Sequence, residues 1–224
     1  MRTQEADAQE FYRTAKDWVL RSRFSSEVSW QCTVRPEAFS EVTFLREAAW
    51  VILCTGFKES IVRAKLGYVS LCFFDWSSAE LIHKNSSLCV ATALHGFANH
   101  RKIKAIAKMA ELIAESGFPN LKQSLLCNPI ATVRKFPYIG PITARHLLKN
   151  LGFDVAKADR HLARLAARLR FSNVKSLCEE LALSTGDPIR VIDVILWRFC
   201  EQHSGAARGI SVRTNAAYQS NTAM

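Results

Sequence analysis

The residues of this chain whose types and spacing could do chemistry are a glycine–proline pair and an aspartate that follows it. Gly140 and Pro141 precede an apolar helical pattern, and Asp159 stands where the next helical pattern begins. Glycine takes a positive φ at low cost, and proline suits the first position of a helix, where its missing N–H costs nothing. The positive end of the helix dipole then carries three free N–H groups, those of Ile142, Thr143 and Ala144. Such an end binds anions, and a phosphate is the usual one.

The hairpin and the aspartate together resemble the helix-hairpin-helix DNA glycosylases. In that family the hairpin reads hydrophobic-Pro-Gly-hydrophobic-Gly-x-x-x-Ala, and an essential Asp follows it. The positions that match are Phe136, Pro137, Ile139, Gly140, Ala144 and Asp159. Two positions depart from the pattern. Tyr138 replaces the first hairpin glycine, and Ile142 stands where lyase-competent members carry the lysine that forms a Schiff base.

The resemblance implies that Asp159 is the catalytic residue. Positive charge builds on the sugar as an N-glycosidic bond breaks, and a carboxylate beside C1′ stabilises that charge and orients or deprotonates the attacking water. Taken alone, an aspartate in this place would cap a helix and contribute roughly 1 kcal/mol. Because Ile142 has no amine for an imine with C1′, the family's lyase step is not expected. The remaining aspartates of this region are weaker candidates: Asp154, Asp187 and Asp193.

The resemblance also implies roles in binding DNA and in flipping a base. The stretch GFANHR resembles the family's Gly-Leu-Tyr-Asn-x-Lys, whose leucine enters the base stack, so Phe97 is the wedge candidate. The alternative for Phe97 is a core position at a helix end. The turn at residues 55–58 occupies the place of the family's other DNA-probing loop. Contacts with DNA are expected from Tyr138, Ile139, Gly140, Ile142, Thr143, Arg145 and Arg160. The base pocket is expected to include Trp30, Phe44, Trp50 and Tyr138.

The charge of the chain points to the same kind of partner. The formal net charge of +10 favours an anionic partner, with nucleic acid first. Residues 145–170 hold seven Lys and Arg against two Asp, a local net charge of +5. Lys149 and Lys157 are expected to be phosphate contacts or solvated charges. The stripe formed by Arg160, Arg164 and Arg168 is either a solvated face or a phosphate-binding one. We expect a monomer that binds duplex DNA containing a modified base.

The cysteines and histidines predict no metal and no cofactor. The seven cysteines form no CxxC pair, which is typical of reduced thiols in a cytosolic protein. Many relatives in the glycosylase group carry a four-cysteine iron–sulfur loop beyond the hairpin, where this chain has Cys178 and Cys200 alone. The histidines lack zinc-ligand spacing. No apolar run approaches the roughly 20 residues that span a bilayer. We therefore expect no membrane association and a cytoplasmic, nucleoid-associated protein.

The pattern of apolar residues predicts an all-α fold. Helical periods occur at residues 8–23, 41–55, 77–83, 88–94, 101–116, 121–127, 129–135, 141–151, 159–170, 172–183 and 188–203. Residues 69–76 are strand-like in composition but lack a partner, so they are expected to be a helix end and its loop. The resemblance, over about residues 44–200, implies two helical domains, 41–151 ending in the helix-hairpin-helix motif and 1–40 with 152–203. The active cleft would lie between them. Residues 204–224 are expected to be a disordered tail.

Three functions fit the sequence. The first is a monofunctional DNA glycosylase of base-excision repair, with an alkylated purine as the first substrate to consider, which leaves an abasic site in an unbroken strand. The second is a glycosylase that removes hypermodified bases of phage DNA as antiviral defence. The third is a non-catalytic helix-hairpin-helix protein that binds DNA and uses Asp159 only as a helix cap.

Overall fold

The computed structural model describes residues 3–203, and this part of the chain is helical with no β-strand. The all-α prediction is therefore confirmed. A single-turn 3₁₀ helix at Phe74–Trp76 separates the fourth and fifth α-helices. The α-helices are α1 (Gln4–Arg21), α2 (Ser25–Thr33), α3 (Glu41–Cys54), α4 (Glu59–Cys72), α5 (Ala79–Lys84), α6 (Ser86–Gly96), α7 (His100–Ser116), α8 (Phe118–Cys127), α9 (Pro129–Val133), α10 (Pro141–Asn150), α11 (Arg160–Arg168), α12 (Val174–Thr185) and α13 (Ile189–Gln202). The predicted tail, residues 204–224, lies outside the described residues.

Polar side chains mark where many of these helices begin. The hydroxyl of Ser40 accepts a hydrogen bond from the N–H of Thr43 at 3.2 Å and caps α3. Asn99 caps α7 in the same way, and Asn173 forms a reciprocal capping box with Ser176 at α12. These side chains satisfy N–H groups that have no partner inside the helix, a contribution of about 1 kcal/mol each. The first residues of these three helices are therefore set by local sequence.

The buried side chains form two hydrophobic clusters. The first cluster takes its members from residues 39–151, and the second takes its members from residues 8–28 and 162–199. In the second cluster α11 buries Leu162 and Leu165, while Arg160, Arg164 and Arg168 are exposed on its other side. The chain passes from the first cluster to the second in the loop between α10 and α11. That loop ends at Asp159.

Buried polar contacts join elements of the two clusters. The ammonium of Lys149 on α10 forms an ion pair with Asp193 on α13, and both side chains are buried. The guanidinium of Arg198 on α13 reaches three glutamates on three helices, those of Glu27 (2.6 Å), Glu59 (3.1 Å) and Glu201 (2.9 Å). A buried charge is tolerated when it is paired and hydrogen-bonded, so these contacts fix α13 against α2, α4 and α10.

The helix α2 shows where tertiary contacts override local pattern, whereas residues 69–76 form the helix end and loop that were expected. The helix α2 was not predicted, because its sequence has no apolar repeat and it buries only Val28 and Gln31. It is held by α13, whose Arg190 donates to the carbonyl of Gln31 at 2.9 Å. Residues 69–76 form the end of α4 and a turn, and not a strand. Three residues of this turn have positive φ: Phe74, Asp75 and Trp76.

Candidate active site and nucleic-acid interface

The segment predicted to be the hairpin connects α9 to α10, a helix that begins with proline. Gly140 is the N-cap of α10 and Pro141 is its first residue, and no side chain caps this end. Gly140 does not use the positive φ that glycine can adopt, because its φ is −84° and its ψ is −177°. The N–H of Ala144 is also not free, since it donates to the carbonyl of Gly140 at 2.8 Å. An anion at this end would therefore meet the first-turn N–H groups of Ile142 and Thr143.

Tyr138 carries the left-handed backbone of this hairpin. Its φ is +67°, and its ring is 39% exposed. It occupies the position where the glycosylase pattern has a glycine, the residue type that takes a left-handed backbone at the lowest cost. A non-glycine residue with a left-handed backbone conformation costs roughly 1–2 kcal/mol. Such strain is tolerated when the surrounding structure fixes the loop, and it is concentrated at functional sites.

Two substitutions of Tyr138 distinguish the cost of its left-handed backbone from the contribution of its ring. We expect Tyr138→Gly to raise the free energy of unfolding by about 1 kcal/mol relative to Tyr138→Ala, because both variants lose the ring and only glycine relieves the left-handed backbone. Urea denaturation of the two variants measures the difference. Equal stabilities would show that the loop does not hold this residue in the left-handed conformation.

The remaining residues predicted to contact DNA differ in their exposure. Ile142 is 49% exposed, Arg160 is exposed, and Thr143 and Arg145 are half-buried. Ile139 is the exception, because its side chain is buried in the first cluster. The expected contact of Ile139 with DNA stays a prediction, and it would not involve the buried side chain. Ile139 can offer only its main chain to a ligand.

Phe97 does not have the exposure that a wedge requires. Its ring is only 3% exposed and packs in the first cluster, so the core alternative holds. The ring that does reach solvent is that of Phe57, in the turn between α3 and α4. Phe57 is 41% exposed, and its centroid lies 5.3 Å from that of Phe97. The buried ammonium of Lys102 supports this turn, since it lies 4.5 Å from the Phe57 centroid and donates to the carbonyls of Leu53 and Thr55.

The predicted pocket residues lie in different environments. Phe44 has no exposed surface, and its ring packs 6.3 Å from that of Phe39 and 5.7 Å from that of Phe136. A pocket role for Phe44 is therefore wrong for this structure. Trp30 is exposed on α2, and Trp50 is half-buried on α3 beneath the guanidinium of Arg63, 5.2 Å from the ring centroid.

Asp159 is the cap of α11 and keeps one carboxylate oxygen unused. Its Oδ1 accepts hydrogen bonds from the N–H of His161 at 2.9 Å and from the N–H of Leu162 at 3.2 Å. Its Oδ2 has no hydrogen-bond or ion-pair partner among residues 3–203. The residue is half-buried. The carboxylate is thus fixed by one oxygen and open at the other, which is compatible with both capping and chemistry.

The two lysines that were expected to be phosphate contacts or solvated charges, Lys149 and Lys157, lie in different environments near this loop. Lys149 is buried and paired with Asp193, so it is neither solvated nor free for a phosphate. The N–H of Lys157 donates to the other oxygen of Asp193 at 2.6 Å, and its ammonium lies 5.6 Å from the ring centroid of Trp197. Burial lowers the pKa of Lys157, and the positive charge of Lys149 lowers it further. Burial and these two lysines also hold the pKa of His146 well below 6.5, so its imidazole is neutral at neutral pH.

Comparison of the chain with protein-family models, with curated proteins and with solved structures found no match. The resemblance to the helix-hairpin-helix glycosylases therefore rests on the hairpin residues and Asp159. Residues 3–203 contain no group of His, Cys, Asp and Glu side chains placed to hold a metal ion. Over the same range, no helix is both long and apolar enough to cross a membrane.

Proposed function

We propose that the protein is a monofunctional DNA glycosylase that flips a damaged or modified base out of duplex DNA and hydrolyses its N-glycosidic bond. The observation that carries this proposal is the carboxylate of Asp159, one oxygen of which is held by two main-chain N–H groups while the other is unpartnered within the described chain. An alkylated purine is the first substrate to consider. A cationic base leaves readily, so catalysis needs only to stabilise the sugar and to supply water.

In this proposal Asp159 acts on the sugar and not on the base. Its free oxygen faces the positive charge that develops at C1′ and accepts a proton from the attacking water. The two hydrogen bonds to Oδ1 fix the carboxylate before the substrate arrives, so little reorganisation accompanies the reaction. Lyase-competent members of the family have a lysine at the position of Ile142. Because isoleucine has no amine, its presence supports hydrolysis by water and not a lyase step.

The hairpin would hold the phosphate next to the flipped nucleotide. The uncapped N-terminus of α10 provides N–H groups and the positive end of a helix dipole, which together favour an anion. The DNA-contacting set consists of Tyr138, Gly140, Ile142, Thr143, Arg145 and Arg160, with Ile139 contributing its main chain. The two hydrophobic clusters support a division into domains 41–151 and 1–40 with 152–203, with the cleft between them. The substrate would be duplex DNA of the nucleoid, bound by a monomer.

Phe57 replaces Phe97 as the proposed wedge. The exposed ring of Phe57 stands on a turn whose carbonyls are held by the buried ammonium of Lys102. An apolar ring on a rigid turn can enter the base stack and replace the stacking that is lost on flipping.

We expect Phe57→Ala to lower base release about tenfold with little change in stability, because a stacking contact is worth about 1–3 kcal/mol and the ring is largely outside the core. Phe97→Ala is the matched control. It removes a buried ring, so its main expected effect is a lower free energy of unfolding. Single-turnover base release and urea denaturation of both variants provide the two measurements. Unchanged release by Phe57→Ala would exclude the wedge role.

The proposed function is tested by incubating the protein with duplexes that each contain one modified base and identifying the released base by mass spectrometry. Release of an alkylated purine, followed by strand breakage only after heat or alkali, is the expected result. Release of a hypermodified pyrimidine alone would instead favour the defence function. Tight binding of the duplexes with no base released would leave Asp159 as a cap and the protein as a non-catalytic DNA-binding module.

A further inference from the structure

The helices α4 and α6 lie side by side and antiparallel. The ammonium of Lys65 on α4 donates to the carbonyl of Gly96 at 2.6 Å, and the hydroxyl of Tyr68, further along α4, donates to the carbonyl of Thr92 at 2.9 Å. Because the residue numbers rise on α4 and fall on α6, these two contacts fix the register of the pair. The approach is close, since a β-carbon on Gly96 would lie 2.2 Å from the Tyr68 ring.

The same register brings two cysteines opposite each other. Cys72 lies one helical turn beyond Tyr68 on α4, and Cys89 lies one turn before Thr92 on α6. Positions 65, 68 and 72 share one face of α4, and positions 89, 92 and 96 share one face of α6, because residues three and four apart are neighbours on a helix. Cys72 is also an electrostatic neighbour of both Tyr68 and Cys89. The two thiols are therefore adjacent in the packed helix pair.

The two cysteines differ in their access to solvent. Cys89 has no exposed surface and belongs to the first cluster, whereas Cys72 is half-buried and packs against that cluster. Burial raises the pKa of the Cys89 thiol, and the neighbouring Cys72 raises it further. A small oxidant from solvent therefore reaches Cys72 first, and Cys89 is placed to react with the product that forms there.

We propose that Cys72 and Cys89 are a redox modification site, at which a hydroperoxide converts the two thiols into a disulfide between α4 and α6. This modification is independent of the proposed function. In the first step the thiolate of Cys72 attacks one oxygen of hydrogen peroxide, so that an S–O bond forms and the O–O bond breaks. The other oxygen takes up the proton that the thiol released and leaves as water, and Cys72 becomes a sulfenic acid.

In the second step the sulfur of Cys89 attacks the sulfur of the sulfenic acid. An S–S bond forms, the S–O bond breaks, and the hydroxyl leaves as water with the thiol proton of Cys89. The two sulfurs together lose two electrons, and the peroxide gains them. Cys89 is a poor nucleophile in general because it is held as a thiol, but its fixed place opposite Cys72 makes this step intramolecular.

The disulfide would tie together the two helices that flank the Phe57 turn. The helix α4 begins just after that turn, and α6 ends just before Phe97, whose ring centroid lies 5.3 Å from that of Phe57. A crosslink between two parts of a chain stabilises the folded state mainly because it restricts the unfolded one. Oxidation therefore makes the protein more resistant to unfolding, and a thiol reductant reverses the effect.

Peptide mapping of the peroxide-treated protein tests this inference. The reduced full chain is treated with hydrogen peroxide, its remaining thiols are blocked with iodoacetamide, and it is digested with trypsin without reduction. Cleavage after Lys84 places Cys72 and Cys89 in separate peptides, so the disulfide appears as a linked pair that lacks the two thiol hydrogens. Every sample carries Cys32→Ser and Cys127→Ser, which remove the exposed cysteines and so prevent links between chains.

We expect the linked pair in this background, its loss after treatment with dithiothreitol, and its absence when Cys72→Ser is added. Cys54→Ser is the matched control, since it removes another half-buried cysteine that packs against the first cluster and should keep the linked pair. Peroxide should raise the midpoint of thermal unfolding by several degrees in the background and with Cys54→Ser, and not with Cys72→Ser.

Three outcomes of the mapping would overturn the inference. They are a sulfinic acid on Cys72 beside a reduced Cys89, a disulfide from either residue to a third cysteine, and two reduced thiols at a peroxide concentration that oxidises free cysteine in the same sample. The mapping uses the background protein itself, so its result does not depend on whether Cys72→Ser folds. A linked pair with an unchanged midpoint would retain the site and reject its stabilising effect.

Discussion

Replacement of Asp159 by asparagine is expected to lower base release at least 100-fold while duplex binding stays unchanged or becomes tighter. Asparagine keeps an oxygen for the N–H groups of His161 and Leu162, so the cap of α11 survives. It loses the negative charge and the second oxygen, which are the groups that face the sugar in the proposed reaction. Loss of one fixed electrostatic group of this kind typically lowers the catalytic rate about 10²–10³-fold. Single-turnover base release and fluorescence anisotropy of labelled duplex provide the two measurements.

The alanine variant provides the control for this prediction. Asp159→Ala removes both the charge and the cap, so it is expected to lose base release to the same extent and to lose about 1 kcal/mol of stability as well. Urea denaturation should place Asp159→Asn within about 0.5 kcal/mol of the wild type, since asparagine and aspartate cap equally well. Wild-type rates of base release in the asparagine variant would reduce Asp159 to a purely structural residue.

Replacement of Asp193 by alanine is expected to lower the free energy of unfolding by about 3–5 kcal/mol. The change leaves the buried ammonium of Lys149 without its counter-charge and removes the acceptor of the Lys157 N–H. It therefore loosens both the contact between α10 and α13 and the loop that presents Asp159. Urea denaturation measures the loss, and base release at low temperature shows whether the surviving folded protein still positions the loop.

Two controls identify the buried charge as the cause of this effect. Glu80→Ala breaks the exposed pair with Lys84, which solvent screens, so this variant is expected to be about as stable as the wild type. Lys149→Met in the Asp193→Ala background removes the orphaned cation, so part of the lost stability should return. An Asp193→Ala variant as stable as Glu80→Ala would mean that the ion pair does not carry the contact between these helices.

The elements that sequence could predict are those whose signals are local. The helix α11 alternates Arg160, Arg164 and Arg168 with buried leucines at helical spacing, and its cap, Asp159, precedes it. Its position follows from periodicity and capping alone. The helix α2 has neither signal, because its place depends on Arg190 and Arg198 of α13, more than 150 residues further along the chain, which bond to Gln31 and Glu27.

The candidate site was predictable only in part, for the same physical reason. The proposed role of Asp159 rests on its residue type and on its spacing after the predicted hairpin, both of which are visible in the sequence. The rings of Phe97 and Phe57 are indistinguishable by residue type, and packing alone decides that the first is buried and the second exposed. Likewise, no local pattern shows that Lys149 finds a buried carboxylate while the side chain of Lys157 finds none. Burial and pairing are properties of the folded chain, so these assignments required coordinates.

The contacts of Arg198 oppose any separation of the two hydrophobic clusters. One guanidinium joins glutamates of α2, α4 and α13, and α4 packs in the first hydrophobic cluster while α2 and α13 pack in the second. Separating the halves there would strip several charge-assisted bonds at once. The buried Lys149–Asp193 pair links the same two clusters, so separating them would break buried charge pairs at both places.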